Sequence, residues 1–234
     1  MATAMDKLEK YLLAMDKVDE ADSRLLRQVA YDRLQEAIRH ADLEPGDPLS
    51  ETRISKALGI SRTPVREALQ QLAQEGLVQI IPGRAITVAA PSIQEVLEVV
   101  HVRELLEPEL IRLAAEALPS EAREILKSCI QEMESAARTG DRAGWSKADS
   151  IFHETLSNFC PNRLLGQLVF QARNRVHSTA IDEQTTDTRI VECTAEHKQV
   201  VEAIINHDPE TAERLMREHI QQLRHSMFKR LVRY

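Results

Sequence analysis

Apolar side chains recur at helical spacing along most of this chain, and they predict a run of helices. Over residues 25–40, Leu26, Val29, Leu34 and Ile38 fall on one face of a helix. A Glu-Pro-Gly-Asp turn follows and ends this helix. The first strongly patterned element of the chain is therefore an amphipathic helix.

Two short helices separated by a glycine come next. Ser50 is placed to cap the first, and Gly59 ends it. We expect Thr63 to cap the second and Pro64 to be its first residue, because the missing N–H of proline costs nothing there. The apolar positions of both helices face inward: Ile54, Leu58, Val65, Leu69 and Leu72. This order predicts a helix-turn-helix.

Residues 77–81 and 85–88 are β-prone, and a Pro-Gly-Arg turn separates them. This spacing is typical of a β-hairpin, and a hairpin after a helix-turn-helix is a wing. Residues 89–92 then form a linker, and a capping box of Ser92 and Glu95 opens the next helix. A domain boundary is expected at this linker.

The chain is thus predicted to have three parts and a mostly α fold. Residues 1–22 carry a short amphipathic pattern, which is either a helix docked elsewhere or a loosely ordered extension. Residues 23–90 form the winged helix-turn-helix, and residues 91–234 form an all-helical bundle of about six helices. The helices predicted for this bundle cover residues 93–117, 121–138, 142–159, 163–181, 189–206 and 210–232.

Composition indicates where such a protein acts. No apolar run approaches the length of a membrane span. Three widely spaced cysteines fit neither a disulfide framework nor a metal clip, so we expect a cytoplasmic protein with reduced thiols and no membrane partner.

The net charge of -7 argues against a protein that coats nucleic acid. Arginines nearly balance acids over residues 24–88, whereas the chain beyond residue 92 is acidic, so a DNA contact belongs to the first part.

Several arginines and hydroxyls surround the start of the second short helix. The first turn of a recognition helix faces the major groove, where an arginine fork binds guanine in a bidentate manner. Arg62 and Arg66 are therefore the candidate base-reading residues, and Ser61 and Thr63 the candidate phosphate-binding ones. The alternative is that these arginines are ordinary solvated charges. Two further arginines are candidates for backbone or minor-groove contacts, Arg53 and Arg84.

One long motif runs through this region: Leu-Ser-Glu at 49–51, Ala-Leu-Gly-Ile-Ser-Arg-Thr-Pro-Val-Arg-Glu-Ala-Leu at 57–69, Leu72, and Glu-Gly-Leu-Val at 75–78. This motif resembles the GntR family of bacterial transcription regulators. The family usually has Arg-Gly in the wing where this chain has Arg84-Ala85, and often a basic residue on the preceding helix where it has Thr52. The resemblance implies a transcription regulator that binds double-stranded DNA.

Four polar side chains of the helical region share faces with apolar residues and are expected to point inward. Asp149 and His153 are spaced i,i+4 on one helix, and His197 and His219 lie on the apolar faces of two others. One carboxylate and three imidazoles suit Zn, Ni, Mn or Fe. Spacing alone leaves open that each histidine is a hydrogen-bonded core residue and that Asp149 and His153 are a buried pair.

The same positions resemble the C-terminal ligand-binding domain of the FadR subfamily, usually called FCD. The resemblance covers nearly everything beyond Ser92, and its marks are Asp149-x3-His153, Glu196-His197 and His219. In many such domains the Asp and the three His bind a divalent metal. The resemblance therefore implies a metal cofactor at these residues, with Zn the first expectation.

Arg103 and Glu107 interrupt the apolar stripe of the first helix in this region. A buried arginine holds an anion or an acid, so the pair is either an internal salt bridge or part of a ligand site. In the resembling family the equivalent helix carries an Arg facing the cavity. This implies a small carboxylate effector held by the metal and Arg103 together. Asn174 and Arg175 are weaker candidates for the rim of the pocket.

The combined expectation is a ligand-responsive transcription repressor that acts as a homodimer. Two-fold symmetry of the protein predicts an inverted-repeat operator. One alternative is a metal sensor that takes no acid, and a second is an enzyme with a metal-bound water at the histidines. We expect no enzyme, because no separate carboxylate or nucleophile motif is placed to serve it.

Overall fold

The computed structural model describes residues 3–15, 23–41, 43–175 and 186–231. In these residues the chain forms ten helices and one small sheet. Contacts divide it into two compact units, Met1–Ser92 with Asn174–Ala180, and Ile93–Arg173 with Ile181–Tyr234. The linker predicted at residues 89–92 therefore coincides with the end of the first unit's main segment.

The described residues of the first unit form four helices and three short strands. Each helix buries one apolar face in a shared core that includes Leu34, Ile54 and Leu69. The helices are α1 (Ala4–Ala14), α2 (Ser23–His40), α3 (Glu51–Leu58) and α4 (Arg62–Gln74), and the strands are β1 (Pro48–Leu49), β2 (Val78–Ile81) and β3 (Ala85–Val88).

Helix α1 packs into the core of the first unit. Thr3 caps it through a capping box with Asp6, which satisfies backbone groups at its first turn. Met5, Leu8 and Leu12, spaced along one face, are buried in the same core as α2 and α3. Of the two alternatives left open for residues 1–22, a docked helix and a loosely ordered extension, the docked helix is present over Ala4–Ala14, and residues 16–22 lie outside the described residues.

Helices α3 and α4 form the predicted helix-turn-helix. Ser50 caps α3 by accepting a hydrogen bond from the backbone N–H of Arg53, and Gly59 ends it with a φ of 70° that favours glycine. Helix α4 begins at Arg62 with Ser61 as its cap residue, so the predicted cap at Thr63 is wrong. Pro64 is tolerated at the third position because no N–H of the first turn has a partner within the helix.

The wing is a three-stranded antiparallel sheet in the order β1-β3-β2. Ile81 pairs with Ala85 across the predicted turn, where Gly83 has a φ of 69°. The two-residue strand β1, Pro48–Leu49, pairs with β3 and was not predicted. A two-residue strand contains no alternation that a sequence pattern could reveal.

The second unit is the predicted helical bundle, and the six helices of its described residues confirm the mostly α fold class. The prediction that the fourth of them continues to residue 181 falls beyond the described residues. The long first helix holds Pro108 in its interior. The helices are α5 (Ile93–Ala117), α6 (Ser120–Thr139), α7 (Arg142–Asn158), α8 (Arg163–Arg175), α9 (Asp187–Ile205) and α10 (Pro209–Leu231).

The inward-pointing polar residues of the second unit lie against its hydrophobic core. Trp145, Phe152 and Leu156 of α7 are buried in it, and the Trp145 indole N–H donates to the Thr194 hydroxyl of α9 at 2.8 Å. This hydrogen bond links α7 to α9, the two helices that also bring His153 and His197 together. Among the described helices, none is both long and apolar enough to cross a membrane.

Candidate functional site

The N-terminal turn of α4 presents an exposed polar surface. Ser61, Arg62, Thr63 and Arg66 are all exposed, whereas the other side of the helix is buried. The Ser61 hydroxyl makes no capping bond, so it and the free backbone N–H groups of the first turn can meet a phosphate. The four residues predicted to read DNA therefore lie on one accessible surface.

Arg66 is held by an acid of the neighbouring helix. Its guanidinium donates to the Glu51 carboxylate at 3.1 to 3.3 Å, and the Arg66 side chain stays 52% exposed. The hydrogen bonds that Arg66 donates to Glu51 raise the pKa of Arg66 above its ordinary value. Arg66 is thus charged, accessible and already oriented from one side.

Arg53 is engaged with α1. Its guanidinium donates to Glu9 at 2.5 and 2.6 Å and to Asp6 at 2.7 Å. The DNA contact predicted for Arg53 stays a prediction, and it would require the guanidinium to leave carboxylates that already accept its hydrogen bonds. Arg84 lies exposed in the turn of the wing, where sequence placed it.

In the second unit, the predicted metal ligands converge from three helices. Asp149 and His153 come from α7, His197 from α9 and His219 from α10. The Nε2 atoms of His153 and His197 are 3.1 Å apart, and Asp149 Oδ1 lies 3.5 and 3.7 Å from them. All three histidines are buried. We call these four residues the histidine cluster.

The donor atoms of the histidine cluster fit a divalent ion. Bonds from zinc to imidazole nitrogen or carboxylate oxygen are about 2.0–2.2 Å, so neighbouring ligands of one ion lie about 3–3.6 Å apart. The measured separations of 3.1, 3.5 and 3.7 Å are close to that range. One ligand atom from each of His153, His197 and His219 also falls within a common 4.8 Å.

The protonation states also suit a metal. Burial, reinforced by the Arg173 charge, lowers the pKa of His153 to about 4. Burial likewise holds the pKa of His197 well below its usual range. Burial acts to raise the pKa of Asp149, but the facing imidazoles and Arg173 outweigh it and lower that pKa. Near neutral pH these imidazoles are neutral and the carboxylate is charged, as metal ligation requires.

A second layer of side chains contacts the ligands. His219 Nδ1 lies 2.6 Å from a Glu196 oxygen, and Arg189 donates to both oxygens of Glu196 at 2.6 and 2.7 Å. His197 Nδ1 lies 3.7 Å from the sulfur of Cys193. Sequence reasoning quoted Glu196 only as part of a motif and missed Arg189. The signal available was their spacing of two helical turns on one helix.

Two arginines and an acid border the histidine cluster. Arg103 Nε donates to Glu107 at 2.6 Å, so the internal salt bridge considered from sequence is present. Arg173 donates to Glu107 at 3.3 Å and to Asp149 at 3.2 Å, and sequence reasoning missed it. Burial opposes the charge on Glu107, yet Arg103 and Arg173 lower its pKa.

Asn174 and Arg175 directly follow Arg173 at the end of α8. By contacts they group with the first unit, and Arg175 is exposed. Their place at the rim of the ligand pocket stays a prediction, whereas Arg173 reaches Asp149.

Comparison with known families covers both units. Residues 26–88 match the family described as bacterial regulatory proteins, gntR family, and residues 98–222 match the FCD domain. The chain belongs to the GntR family of bacterial regulators and carries an FCD domain. It is therefore a DNA-binding transcription regulator of the FadR subfamily.

Curated relatives of this GntR chain are named as transcriptional regulators. It is 35% identical to an HTH-type transcriptional regulator of Agrobacterium vitis over 54% of this chain and 76% of that protein. It is 26% identical to the HTH-type transcriptional repressor RspR of Escherichia coli (strain K12), over 86% of this chain and 89% of that one. A probable D-xylose utilization operon transcriptional repressor of Paenarthrobacter nicotinovorans is 28% identical, over 87% and 91%. All three are named as transcriptional regulators or repressors.

Solved structures share the GntR fold seen here. Escherichia coli McbR/YncC superposes with a TM-score of 0.76 at 22% identity, covering 88% of this chain and 98% of that one. A GntR regulator from Rhodococcus sp. RHA1 gives a TM-score of 0.72 at 21% identity, covering 88% and 98%. At these identities the likeness concerns the fold.

Proposed function

We propose that this GntR regulator is a repressor that binds an inverted-repeat operator as a homodimer and is switched by a small carboxylate at a divalent metal site, with Zn the first choice of metal. The observation that carries the proposal is the convergence of the half-buried Asp149 with the buried His153, His197 and His219 in one cluster. Membership of the GntR family supports the DNA-binding part of the proposal. Two of the relatives are named as repressors, which supports repression rather than activation.

In the DNA-binding unit, each exposed side chain in the first turn of α4 has a role in the proposal. Arg62 and Arg66 read guanine edges, because a guanidinium fork matches the O6 and N7 acceptors. Ser61 and Thr63 bind phosphate, since their hydroxyls flank unpaired backbone N–H groups. A homodimer presents two such turns, which matches an operator made of two inverted half-sites.

In the helical unit, charge balance supports an anionic effector. The cations of Arg103 and Arg173 are matched by the carboxylates of Glu107 and Asp149. When bound, a divalent ion supplies two further positive charges and a coordination position for a carboxylate oxygen. Arg173, which lies 3.2 Å from Asp149, is the residue best placed to hold the effector's carboxylate beside the histidine cluster.

The metal is tested first, on purified full-length protein. Elemental analysis should find a stoichiometric divalent metal, and His153→Ala and His219→Ala should lose it. His101→Ala is the matched control, because His101 lies exposed on α5 outside the cluster. A wild-type protein that neither retains nor takes up metal would refute the metal part of the proposal.

The effector and the operator are tested by mobility shift. Small carboxylic acids should change operator affinity of the metal-loaded protein, and Arg173→Gln should abolish that response while retaining DNA binding. If added metal alone changes affinity and no acid does, the protein is a metal sensor instead.

Arg66→Ala should weaken operator binding about 5- to 150-fold, which corresponds to the roughly 1–3 kcal/mol of a bidentate base contact. Arg112→Ala, on the helical unit, is its control.

A further inference from the structure

We infer that Arg189 is a positioning residue of the histidine cluster: acting through Glu196, it fixes the imidazole of His219 with its proton on Nδ1 and its lone pair on Nε2. The inference rests on the metal site proposed above, and it assigns roles to two residues outside the ligand set. Arg189 and Glu196 lie two turns apart on α9, and His219 lies on α10.

The contacts form a continuous chain from a cation to a ligand. Arg189 donates through Nη1 to Glu196 Oε1 at 2.6 Å and through Nη2 to Oε2 at 2.7 Å. The same Oε2 lies 2.6 Å from Nδ1 of His219. Because a carboxylate only accepts hydrogen bonds, Nδ1 of His219 must be the donor. A neutral imidazole then has its lone pair on the other nitrogen, Nε2.

The arginine determines the plane of the carboxylate. Glu196 is 25% exposed, and alone it could turn toward solvent. The planar fork of Arg189 binds both oxygens at once, so rotation of the carboxylate breaks a hydrogen bond. The Arg189 side chain is itself only 9% exposed, and its Nε has no hydrogen-bond partner among the described residues. Its two Nη contacts with Glu196 are therefore its principal polar attachment.

The backbone anchors Arg189 at the start of α9. Its N–H donates to the hydroxyl of Thr186, the cap residue of the helix, at 3.1 Å. The capped first turn thereby fixes the Cα from which the guanidinium reaches Glu196. The sequence of contacts runs from Thr186 through Arg189 and Glu196 to His219.

The other two histidines lack an equivalent support within the described residues. Nδ1 of His197 meets the Cys193 sulfur at 3.7 Å, and sulfur is a weak acceptor. Nδ1 of His153 is 3.8 Å from Glu107, which is beyond hydrogen-bond length. His219 is thus the imidazole whose tautomer the protein specifies most strongly. Loss of such outer partners typically costs 10–100-fold in metal affinity.

The first measurement is nuclear magnetic resonance of metal-free, full-length protein labelled with ¹⁵N-histidine. The His219 ring, assigned by its loss in His219→Gln, should show the Nδ1–H tautomer. Arg189→Met should give a mixture of tautomers. A wild-type His219 protonated on Nε2, or a single Nδ1–H tautomer retained in Arg189→Met, would overturn the inference. This measurement involves no metal, so its result is independent of whether the proposed metal site exists.

The second measurement is zinc affinity by competition with a chromophoric chelator. Arg189→Met should bind zinc about 10–100-fold more weakly than wild type, and Arg189→Lys should recover part of the loss by restoring the charge without the fork. Arg214→Met, on the exposed face of α10, should match wild type. Wild-type affinity in Arg189→Met would contradict the inference, whereas a wild type that binds no zinc would contradict only the metal site. If Arg189→Met fails to fold, both measurements are made on Arg189→Lys and Glu196→Gln instead. The wild-type tautomer and the wild-type zinc affinity in both of these variants would contradict the inference.

Discussion

The two histidines of the cluster that touch Asp149 are kept neutral by their surroundings. Burial is the largest cause, and it lowers the pKa of His153 to about 4 and that of His197 well below the usual range. In an unfolded chain a histidine titrates near pH 6.5. Between about pH 4 and 6.5, these histidines bind protons in the unfolded chain and not in the folded protein.

The stability of the metal-free protein should therefore rise with pH in this window. Because the unfolded chain binds more protons between about pH 4 and 6.5, the free energy of unfolding increases from the acid end to the neutral end. Urea denaturation in the presence of a chelator, at intervals across the window, measures this slope. His153→Gln should flatten it. A wild-type slope that is flat or falls toward neutral pH would show that burial does not keep these rings neutral.

At the scale of elements, α1 is an integral part of the DNA-binding unit. Leu8 is fully buried in the shared core, whereas Leu13 on the same helix is 67% exposed. Two leucines of one helix thus provide a test and its control.

Leu8→Ala should lower the free energy of unfolding by about 2–5 kcal/mol, because it removes buried apolar atoms and leaves a cavity. Leu13→Ala should change it by less than about 0.5 kcal/mol. Urea denaturation monitored by circular dichroism gives both values. Equal effects of the two substitutions would mean that α1 is not docked in solution.

Helices with strong patterns and caps were predictable, whereas partners distant in sequence were not. The sequence predicted α5 at its observed bounds, because the linker and a proline-serine break flank its apolar stripe. It also predicted the four cluster residues, although the three histidines and the aspartate were assigned to a metal through the FCD resemblance. Docking of α1, pairing of β1 and the contact of Arg173 with Asp149 depend on tertiary packing, which local periodicity does not encode.

At the scale of the whole molecule, a chain of net charge -7 must bind a polyanion through a small local surface. One recognition helix per chain offers few phosphate and base contacts. In the proposed homodimer, affinity for an operator depends on two copies acting together, because the second contact is intramolecular once the first is made.

An operator with both half-sites should therefore bind far more tightly than a probe with one half-site. Each recognition helix is expected to enter the major groove about one helical turn, or a multiple of it, from its symmetry mate. Fluorescence anisotropy with full, half and half-turn-shifted operators measures the effect. Equal affinity for all three probes would contradict a symmetric dimer on an inverted repeat.

The Glu51–Arg66 pair has a consequence for how the regulator searches a genome. In the proposed base contact, Arg66 exchanges the Glu51 carboxylate for a DNA partner, and only an acceptor pair as good as guanine O6 and N7 compensates fully for that loss. On random sequence we expect the arginine to stay with Glu51 and binding to be weaker. Glu51→Gln should consequently raise affinity for random DNA more than for the operator, which competition titrations measure. With millions of competing sites in a genome, this intramolecular competitor increases the fraction of molecules that occupy the operator.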